Sequence, residues 1–213
     1  QTGNATVTVL PLPTATISGD DIVCMNSPEP VVTFTGANGT APYTFTYSLN
    51  GGPNQTITST GNTATINVPT TVNGTFSYDL ISVEDASTLT CNQAQTGTVE
   101  VVVNPLPTAT IIGDASVCNG APEPVVTFTG ADGTAPYTFT YSVNGGPNQT
   151  VTSTGNTATL NVLTAISGTY DYELISVQDN SSTACIQNQT GTISVEINPI
   201  PTASFENIGT CLN

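Results

Sequence analysis

The sequence predicts an all-β protein built from small β-sandwich domains that follow one another end to end. Residues 11–104 recur as residues 105–198 without a gap, and with about 28 differing positions the two copies are roughly 70% identical. Within each copy, segments rich in Thr, Val and Tyr alternate apolar and polar residues, which is the period of a half-buried strand. Gly, Pro and Asn interrupt these segments at short intervals, as turns require.

The repeat also predicts how the chain is divided. A copy of 94 residues is long enough for one small domain. Residues 1–10 match the last strand of a copy, and residues 199–213 begin as a copy does. We therefore expect the end of a preceding repeat, two whole repeats (11–104 and 105–198) and the start of a following one. This pattern favours a section of a longer array; the alternative is a short subunit whose terminal strands pair with neighbouring subunits.

Seven strands are predicted in the first repeat. They are residues 14–17, 30–35, 43–49, 55–60, 63–68, 75–83 and 98–103. The third strand places Tyr43, Phe45, Tyr47 and Leu49 on one face. The sixth strand does the same for Phe76, Tyr78 and Leu80. Between the fourth and fifth strands, Gly61-Asn62 predicts a tight hairpin.

About seven short strands in 94 residues are typical of an immunoglobulin-like, or PKD-like, sandwich. The pattern departs from that of antibody domains, because the chain has no Trp and its cysteines lie outside the strand centres. Tyr78 and Tyr172 lie on the sixth strand, where two interpretations stay open: a tyrosine-corner-like hydrogen bond, or a core tyrosine with its hydroxyl at the rim.

The cysteines keep step with the repeat. Cys24 and Cys91 are 67 residues apart, as are Cys118 and Cys185. This spacing predicts one disulfide in each repeat, Cys24–Cys91 and Cys118–Cys185, and leaves Cys211 unpaired within this sequence. Regular cysteine pairs indicate an oxidising, extracellular setting. A zinc site is disfavoured, because the chain has neither His nor a CxxC motif.

The composition excludes several partners. The chain has 15 acidic residues, no Lys, no Arg and no His, which gives a formal charge of −15. Nucleic acid is excluded, because no side chain can neutralise a phosphate. Anionic membrane surfaces are disfavoured for the same reason, and no apolar run is long enough to insert as a membrane helix.

Catalysis has few candidate residues. Neighbouring carboxylates could act as an acid–base pair. However, the second copy has Ala115 in place of Asp21 and Gln178 in place of Glu84. We therefore expect no catalytic residues and no organic cofactor.

Calcium binding is a better interpretation of the acidic side chains than catalysis, because hard cations bind carboxylate oxygens. Asp20 and Asp114 follow the first strand of each repeat, and Asp85 and Asp179 follow the sixth. We expect these four as weak calcium candidates, with Asp20 and Asp85 converging at one end of their domain.

The junction between the copies is short and rich in proline. Asn104-Pro105-Leu106-Pro107-Thr108 leads from a last strand to the next first strand, and proline favours extended backbone. Strands of ~8–10 residues put one domain at roughly 30–40 Å and two domains at roughly 60–80 Å.

Three segments carry a resemblance to a known class of repeat: GTAPYTFTYS, GTFSYDLISVEDAS and NPLPTATI. They resemble the PKD-like and immunoglobulin-like repeats of very large Bacteroidota surface proteins, which include gliding-motility adhesins of the SprB kind exported by type IX secretion. The resemblance covers both whole repeats. It implies an extracellular, cell-surface fibre that projects an adhesive region, and it transfers no catalytic or ligand residue.

The sequence therefore predicts the shaft of a cell-surface adhesin or filament. Its expected partners are neighbouring repeats of the same chain, and further filament chains or surface glycans. A multivalent glycan-binding module is the main alternative, and it requires exposed aromatic side chains.

Overall fold

A computed structural model describes residues 7–204. The chain divides into two compact units between Leu106 and Pro107. Every regular element of the described residues is a β-strand, so the predicted all-β class is confirmed. In residues 7–204 there is no helix long and apolar enough to cross a membrane. That the flanks 1–10 and 199–213 belong to neighbouring repeats remains a prediction.

The first repeat contains nine strands. They are β1 (Thr14–Ser18), β2 (Asp21–Cys24), β3 (Val31–Ala37), β4 (Thr44–Leu49), β5 (Gln55–Thr58), β6 (Thr63–Asn67), β7 (Gly74–Glu84), β8 (Asn92–Ala94) and β9 (Thr98–Asn104). They form one sheet in the order β1-β3-β6 and a second in the order β2-β9-β7-β4-β5, with β8 also paired to β7.

The second repeat has the same nine strands. They are β10 (Thr108–Ile112), β11 (Ala115–Cys118), β12 (Val125–Ala131), β13 (Thr138–Val143), β14 (Gln149–Thr152), β15 (Thr157–Asn161), β16 (Gly168–Gln178), β17 (Ile186–Asn188) and β18 (Thr192–Asn198). Its sheets have the orders β10-β12-β15 and β11-β18-β16-β13-β14, with β17 paired to β16. All pairs are antiparallel except β2 with β9 and β11 with β18, which are parallel.

The core of the first repeat lies between its two sheets. Phe34 of the smaller sheet stacks on Phe45 of the larger one, with ring centroids 5.6 Å apart, and it lies 5.2 Å from the Tyr47 ring. The predicted inward face of β4 is confirmed, because Tyr43, Phe45 and Tyr47 are buried and Leu49 is half-buried. Aromatic pairs of this kind add to the hydrophobic stabilisation from burial alone.

The inward face of β7 is confirmed for Tyr78 and Leu80, whereas Phe76 is only half-buried. Tyr78 is a core residue, 3% exposed, with its ring 6.2 Å from that of Tyr47. A β-bulge at Ile81 shifts the pairing of β7 with β4 by one residue. Strict alternation therefore holds only up to Leu80.

The sequence analysis did not predict two of the nine strands, β2 and β8. After β1 the chain crosses from the smaller sheet to the larger one at Gly19, whose φ is +123°. A Cβ at this position would lie 2.4 Å from the Val31 carbonyl oxygen, so only glycine fits the crossing. The Asp20 carboxylate then accepts a hydrogen bond from the Glu100 N–H at 2.9 Å, which holds the crossing against β9.

The predicted tight turn at Gly61-Asn62 is present, with a φ of +65° at Gly61, but the predicted pairing of its two flanking strands as a hairpin is wrong. β5 pairs with β4 in the larger sheet and β6 pairs with β3 in the smaller one, so the chain changes sheets at this turn. Only a single bridge, between Thr60 and Thr63, joins the two segments. The alternation of apolar and polar side chains predicts which face of a strand is buried. It does not determine which other strand it pairs with.

Each repeat has two opposite ends. The leading pole is the end where the chain enters, beside Thr14 and the loop that joins β3 to β4. The trailing pole is the end where the chain leaves, at Asn104. Because β7 starts beside the end of β9 and runs to the end where β4 starts, it spans the repeat from the trailing to the leading pole.

Candidate functional site

The leading pole is organised by a buried carboxylate, that of Asp85, which is 4% exposed. It accepts hydrogen bonds from the N–H groups of Thr40 and Cys91, both at 2.9 Å, and from the Ser87 hydroxyl at 2.7 Å. Gly39 leaves room for it, because a Cβ there would lie 2.7 Å from the Asp85 Oδ2 atom. Asp85 thus joins the β3–β4 loop to the β7–β8 loop.

The charge state of this carboxylate follows from its partners. The hydrogen bond from the Ser87 hydroxyl lowers the pKa of Asp85 below its usual value. Burial opposes this shift, and the backbone N–H groups of Thr40, Ser87 and Cys91 reinforce it. Asp85 is therefore ionised near neutral pH, as an acceptor of several hydrogen bonds must be.

The second repeat has the same arrangement around Asp179, which is 5% exposed. Asp179 accepts hydrogen bonds from the Thr134 N–H at 3.0 Å and the Ser181 hydroxyl at 2.8 Å. Gly133 again makes room, with Asp179 on one side and Pro107 on the other. Asp179 and Pro107, where the second repeat begins, therefore both pack against this glycine.

A tyrosine completes the leading pole. The Tyr43 hydroxyl accepts a hydrogen bond from the Gly39 N–H at 3.2 Å. In the second repeat, the Tyr137 hydroxyl accepts one from the Gly133 N–H at 3.2 Å and donates one to the Gly133 carbonyl at 2.8 Å. On the predicted sixth strand of the second repeat, the Tyr170 hydroxyl likewise donates to the Ile166 carbonyl at 3.2 Å, whereas Tyr78 and Tyr172, for which a core position was the alternative to such a bond, are buried in the core.

The trailing pole is closed by hydrogen bonds to backbone carbonyls. The Met25 N–H donates to the Asn104 carbonyl at 2.8 Å, which prolongs the pairing of β2 with β9. The Thr70 hydroxyl donates to the Ser27 carbonyl at 2.6 Å. The second repeat has the same bonds at the equivalent residues, so both repeats are closed in the same way at this pole.

The predicted calcium candidates do not converge. Asp20 binds the backbone of Glu100, which pairs with Ser77 on β7. Asp85 lies eight residues further along that strand, roughly 25 Å away at ~3.3 Å per residue. Asp114 and Asp179 are separated in the same way. In residues 7–204, no group of three or more His, Cys, Asp or Glu side chains could hold a metal ion.

The predicted disulfides Cys24–Cys91 and Cys118–Cys185 are wrong. The thiols of Cys91 and Cys118 are free, whereas Cys24 and Cys185 are disulfide-bonded. Cys211 lies outside the described residues.

The sheet register gives the physical reason. Cys24 pairs with Asn104 at the trailing pole. Cys91 lies at the leading pole, where its carbonyl accepts the Asp85 N–H at 3.0 Å. The poles are the length of β7 apart, roughly 35 Å, whereas the Cα atoms of a disulfide lie about 6 Å apart. The equal spacing of the two cysteine pairs, 67 residues in each repeat, gives no information about this distance between the poles.

The surface of residues 7–204 lacks the features of an aromatic glycan platform. In the described part of the chain, every Phe and Tyr is buried or half-buried. An apolar recess of about 290 Å³ lies between β15 and β16 of the second repeat and includes Leu163, Ile166 and Tyr170. Few polar groups line it, so it offers little to recognise a sugar hydroxyl.

Comparisons with known proteins show the fold. No protein-family model matches the sequence, and no curated protein matches it. Among solved structures, a three-domain immunoglobulin fragment of titin aligns over 90% of this chain and 67% of its own, with a TM-score of 0.54 and 12% identity. At this identity the likeness concerns the fold alone.

The solved structures that match also include a repeat of an adhesion protein and a domain of a biofilm-associated protein. A tetra-tandem repeat from the extending region of a large adhesion protein aligns over 88% of this chain and 50% of its own, with a TM-score of 0.39 and 17% identity. A domain of a biofilm-associated protein aligns over 87% of this chain, with a TM-score of 0.28 and 18% identity. The chain spans only 30% of the length of that domain. The strand order and the titin alignment together show that the chain is a tandem of immunoglobulin-like β-sandwiches.

Proposed function

We propose that this chain is a section of the shaft of an extracellular adhesin or filament, and that its function is mechanical. The observation that carries the proposal is that the chain enters each repeat at one pole and leaves at the opposite pole. Tension on an array of such repeats would pass through every domain from pole to pole.

The terminal strands are arranged to resist that tension. β2 follows the entering strand β1, and β9 is the leaving strand; the two are parallel and paired over four residues. A pull on both ends of the repeat would drive β2 towards the leading pole and β9 towards the trailing pole. The ladder would then be loaded in shear, with several backbone hydrogen bonds sharing the force at once.

The junction supports the same function. Three residues, Pro105-Leu106-Pro107, separate β9 from β10, and the two prolines favour an extended backbone. Pro107 is buried against the second repeat. We expect the junction to restrict bending between the repeats.

The cell surface is the setting that we propose for the shaft, with the gliding-motility adhesins and type IX secretion as its specific context. The sequence resemblance to Bacteroidota surface repeats supports this context. A surface of hydroxyl, amide and acidic groups, with no Lys or Arg, suits an exposed extracellular fibre because trypsin-like proteases find no cleavage site.

Small-angle X-ray scattering of the 213-residue chain in reductant tests the shaft. We expect a maximum dimension of at least roughly 60–80 Å and a single stiff shape, given strand lengths of ~3.3 Å per residue. A dimension near that of one repeat, or scattering that only an ensemble of bent shapes describes, would contradict the proposal.

The mass of the native polypeptide separates the shaft from the subunit alternative. A chain of several hundred kDa supports a long array, whereas a mass near 21.7 kDa would indicate a subunit that polymerises by strand exchange. Saturable binding of the two-repeat chain to polysaccharides would instead favour the glycan-binding module.

A further inference from the structure

The smaller sheet of each repeat ends in an unpaired edge strand, β6 in the first repeat and β15 in the second. In the described part of the chain, β6 pairs only with β3. At its two ends the Asn62 carbonyl accepts the Gly36 N–H and the Val68 N–H donates to the Pro30 carbonyl, both at 2.8 Å. In an antiparallel ladder, residues that bond the neighbouring strand alternate with residues whose N–H and C=O groups point away from it. The even-numbered residues of this segment therefore bond β3, and the odd-numbered residues face outwards.

Thr65 and Asn67 are outward residues whose backbone groups have no partner strand within residues 7–204. Both residues are exposed. The third outward residue, Thr63, is already engaged, because its carbonyl accepts the Thr60 N–H at 3.0 Å. β15 ends the smaller sheet of the second repeat in the same register, so its equivalent residues also face outwards. Each unpaired edge thus offers two N–H donors and two C=O acceptors.

The opposite edge of the same sheet is capped by side chains. There the side-chain oxygen of Gln95 accepts the Ala15 N–H, and that of Gln189 accepts the Ala109 N–H, both at 3.1 Å. Proteins commonly protect an edge strand with a charged residue, a proline or a bulge. β6 has none of these, because Thr63–Asn67 is uncharged, lacks proline and keeps an unbroken register with β3. The repeat therefore protects one edge of this sheet and leaves the other available for pairing.

The distribution of charge indicates what binds this edge. No acidic residue lies between Pro30 and Tyr78 in the first repeat, or between Gly133 and Tyr170 in the second. Every carboxylate of the two repeats lies outside these segments, and the whole chain carries a formal charge of −15. Two copies of the chain therefore repel each other at their charged surfaces, whereas at β6 they meet without like charges in contact. Two identical edges also complement each other when one is turned antiparallel to the other.

We propose that this edge docks a second copy of the chain, with β6 antiparallel to β6 or β15 of the copy, so that two three-stranded sheets become one six-stranded sheet. In the symmetric β6 pair, Thr65 lies opposite Asn67 of the copy, and Asn67 lies opposite Thr65 of the copy. This register forms four backbone hydrogen bonds from groups that have no partner strand in a single chain. It also places Ile66, which is half-buried, beside Ile66 of the copy, where apolar cross-strand pairs stabilise a sheet.

One pair of edges makes a weak contact. An edge of five residues buries much less than the about 800 Å² per partner of a stable complex. A long array presents this edge once in every repeat, so many weak contacts act together. As a way to bundle shafts, the inference rests on the proposed function, whereas the docking of one repeat on a second copy does not.

Amide NMR spectra of the 213-residue chain test the docking. They are recorded in reductant, which excludes disulfide-linked dimers, from about 0.05 to about 2 mM, because a contact with a Kd near 1 mM becomes populated in this range. We expect the amides of Thr65, Asn67 and their equivalents in β15 to shift with concentration, and those of β1 to stay fixed. Raising NaCl from about 0.01 to about 1 M shortens the Debye length from about 30 to about 3 Å and should strengthen the association. Shifts confined to other surfaces, or no shifts at the highest concentration and salt, would overturn the proposal.

A charge placed on the edge tests the location of the contact. The double variant Thr65→Glu/Thr159→Glu puts like charges about 7–8 Å apart across the paired strands. We expect it to associate about ten-fold more weakly than the parent chain. The matched control, Thr16→Glu/Thr110→Glu, makes the same change of charge at exposed threonines on the opposite edge of each smaller sheet. The control should associate as the parent does, and equal losses in both variants would contradict docking at β6.

A second pair of variants separates backbone pairing from side-chain contact. Thr65→Pro/Thr159→Pro removes only outward N–H groups, so the ladder with the neighbouring strand is kept while docking bonds are lost. We expect the amide of Asn67 to stop shifting with concentration in this variant. Thr65→Val/Thr159→Val keeps the N–H groups and should associate as the parent does; a large loss here would show that the hydroxyls carry the contact. Spectra of dilute samples report whether each variant is folded, and if the proline variant unfolds, the glutamate variant decides.

A blocked hexapeptide of alternating Thr and Val separates the second copy from a strand of another protein. If the edge amides shift with this peptide and not with the concentration of the chain, the occupant is an extended peptide and the second copy is wrong. The scattering experiment, extrapolated to zero concentration, does not depend on docking. The docking proposal can therefore fail while the shaft stands, and the shaft can fail while the edge amides still shift.

Discussion

The two repeats differ at about 28 of 94 positions, and their buried cores are almost the same. Among positions buried in both repeats, the differences are Val99 against Ile193 and Val103 against Ile197, each a single methylene group. The stacked rings of Phe34 and Phe45 recur as Phe128 and Phe139 at 5.5 Å. Variation is therefore confined mainly to the surface and the loops.

The acidic groups differ more than the core does. Each repeat has seven carboxylates, and three of them occupy different positions in the two copies. The first repeat alone has Asp21, Glu84 and Glu100, and the second alone has Asp132, Asp171 and Glu196. The number of charges is kept while their places change, which suits mutual repulsion between the fibres that we propose and does not suit a binding site.

One contact shows how a difference can leave the geometry intact. The Asn38 side-chain amide donates to the Thr14 hydroxyl at 2.9 Å. In the second repeat the Thr108 hydroxyl donates to the Asp132 carboxylate at 2.6 Å. The direction of the hydrogen bond is reversed and the loop is held in the same place, so we expect equivalent substitutions to have equal effects in the two repeats.

The largest expected effect is in the core. Phe34→Ala and Phe128→Ala each remove a fully buried ring, and we expect each to destabilise its own repeat by about 3–5 kcal/mol. Hydrogen exchange of peptides from each repeat, measured across a denaturant series, assigns the loss. The control Leu163→Ala removes a side chain that is 70% exposed and should change little. A large effect in only one repeat would contradict their equivalence.

The second effect concerns the leading pole. Asp85→Asn places an amide N–H₂ group among donors, so we expect a lower midpoint of thermal unfolding for the first repeat. Because the pKa of Asp85 is lowered in the folded state, its ionised form stabilises the fold above the unfolded pKa of about 3.9. This contribution disappears as the pH falls through the folded pKa.

A pH series of thermal unfolding tests this expectation. The parent chain should lose more stability below a pH of about 4 than Asp85→Asn does. Glu29→Gln alters an exposed carboxylate and serves as the control. If the parent and Asp85→Asn had parallel pH profiles, the carboxylate would not be the group that holds the two loops together.

A smaller effect is expected from a glycine under an aromatic ring. A Cβ on Gly36 would lie 2.4 Å from the Tyr43 ring, and one on Gly130 would lie 2.5 Å from the Tyr137 ring. We expect Gly36→Ala and Gly130→Ala each to cost about 1–3 kcal/mol through overpacking. Gly52→Ala is the control, because its Cβ would approach only one backbone oxygen, at 3.0 Å. Equal losses in the variants and the control, by denaturant unfolding, would count against the ring contact.

The smallest expected loss of stability concerns a glutamine that holds the first strand of each repeat, and it compares the two repeats where the chain enters them. The side-chain oxygens of Gln95 and Gln189 accept the N–H groups of Ala15 and Ala109, both at 3.1 Å. Gln189 also donates to the Pro107 carbonyl at 3.4 Å. We expect Gln95→Ala to cost about 0.5–1.5 kcal/mol and Gln189→Ala slightly more. A clearly larger loss for Gln95→Ala in denaturant unfolding would contradict this order.

The sequence predicted the class of fold and most of the strands because buried faces leave a period of two. Tyr43, Phe45 and Tyr47 are buried as that period requires. The strands β2 and β8 have only four and three residues, too few to establish a period. Their pairing is long-range, because β2 joins β9 about 80 residues later.

The cysteine pairing could not be predicted for a related reason. Spacing along the sequence shows that Cys24 and Cys91 belong to the same repeat, and it contains no information about which pole each one occupies. That information lies in the register of β7 with its neighbours, which only the folded sheets provide. The buried role of Asp85 was missed for the same reason, because its partners come from two separate loops.

Single-molecule pulling of the 213-residue chain by its two ends, in reductant, tests the mechanical function most directly. We predict two separate unfolding events, each lengthening the chain by roughly 300 Å, because each repeat has 94 residues of ~3.3–3.6 Å. The equivalence of the repeats predicts similar forces for the two events. Smooth extension at low force, with no discrete steps, would show that the repeats do not resist tension and would contradict the shaft.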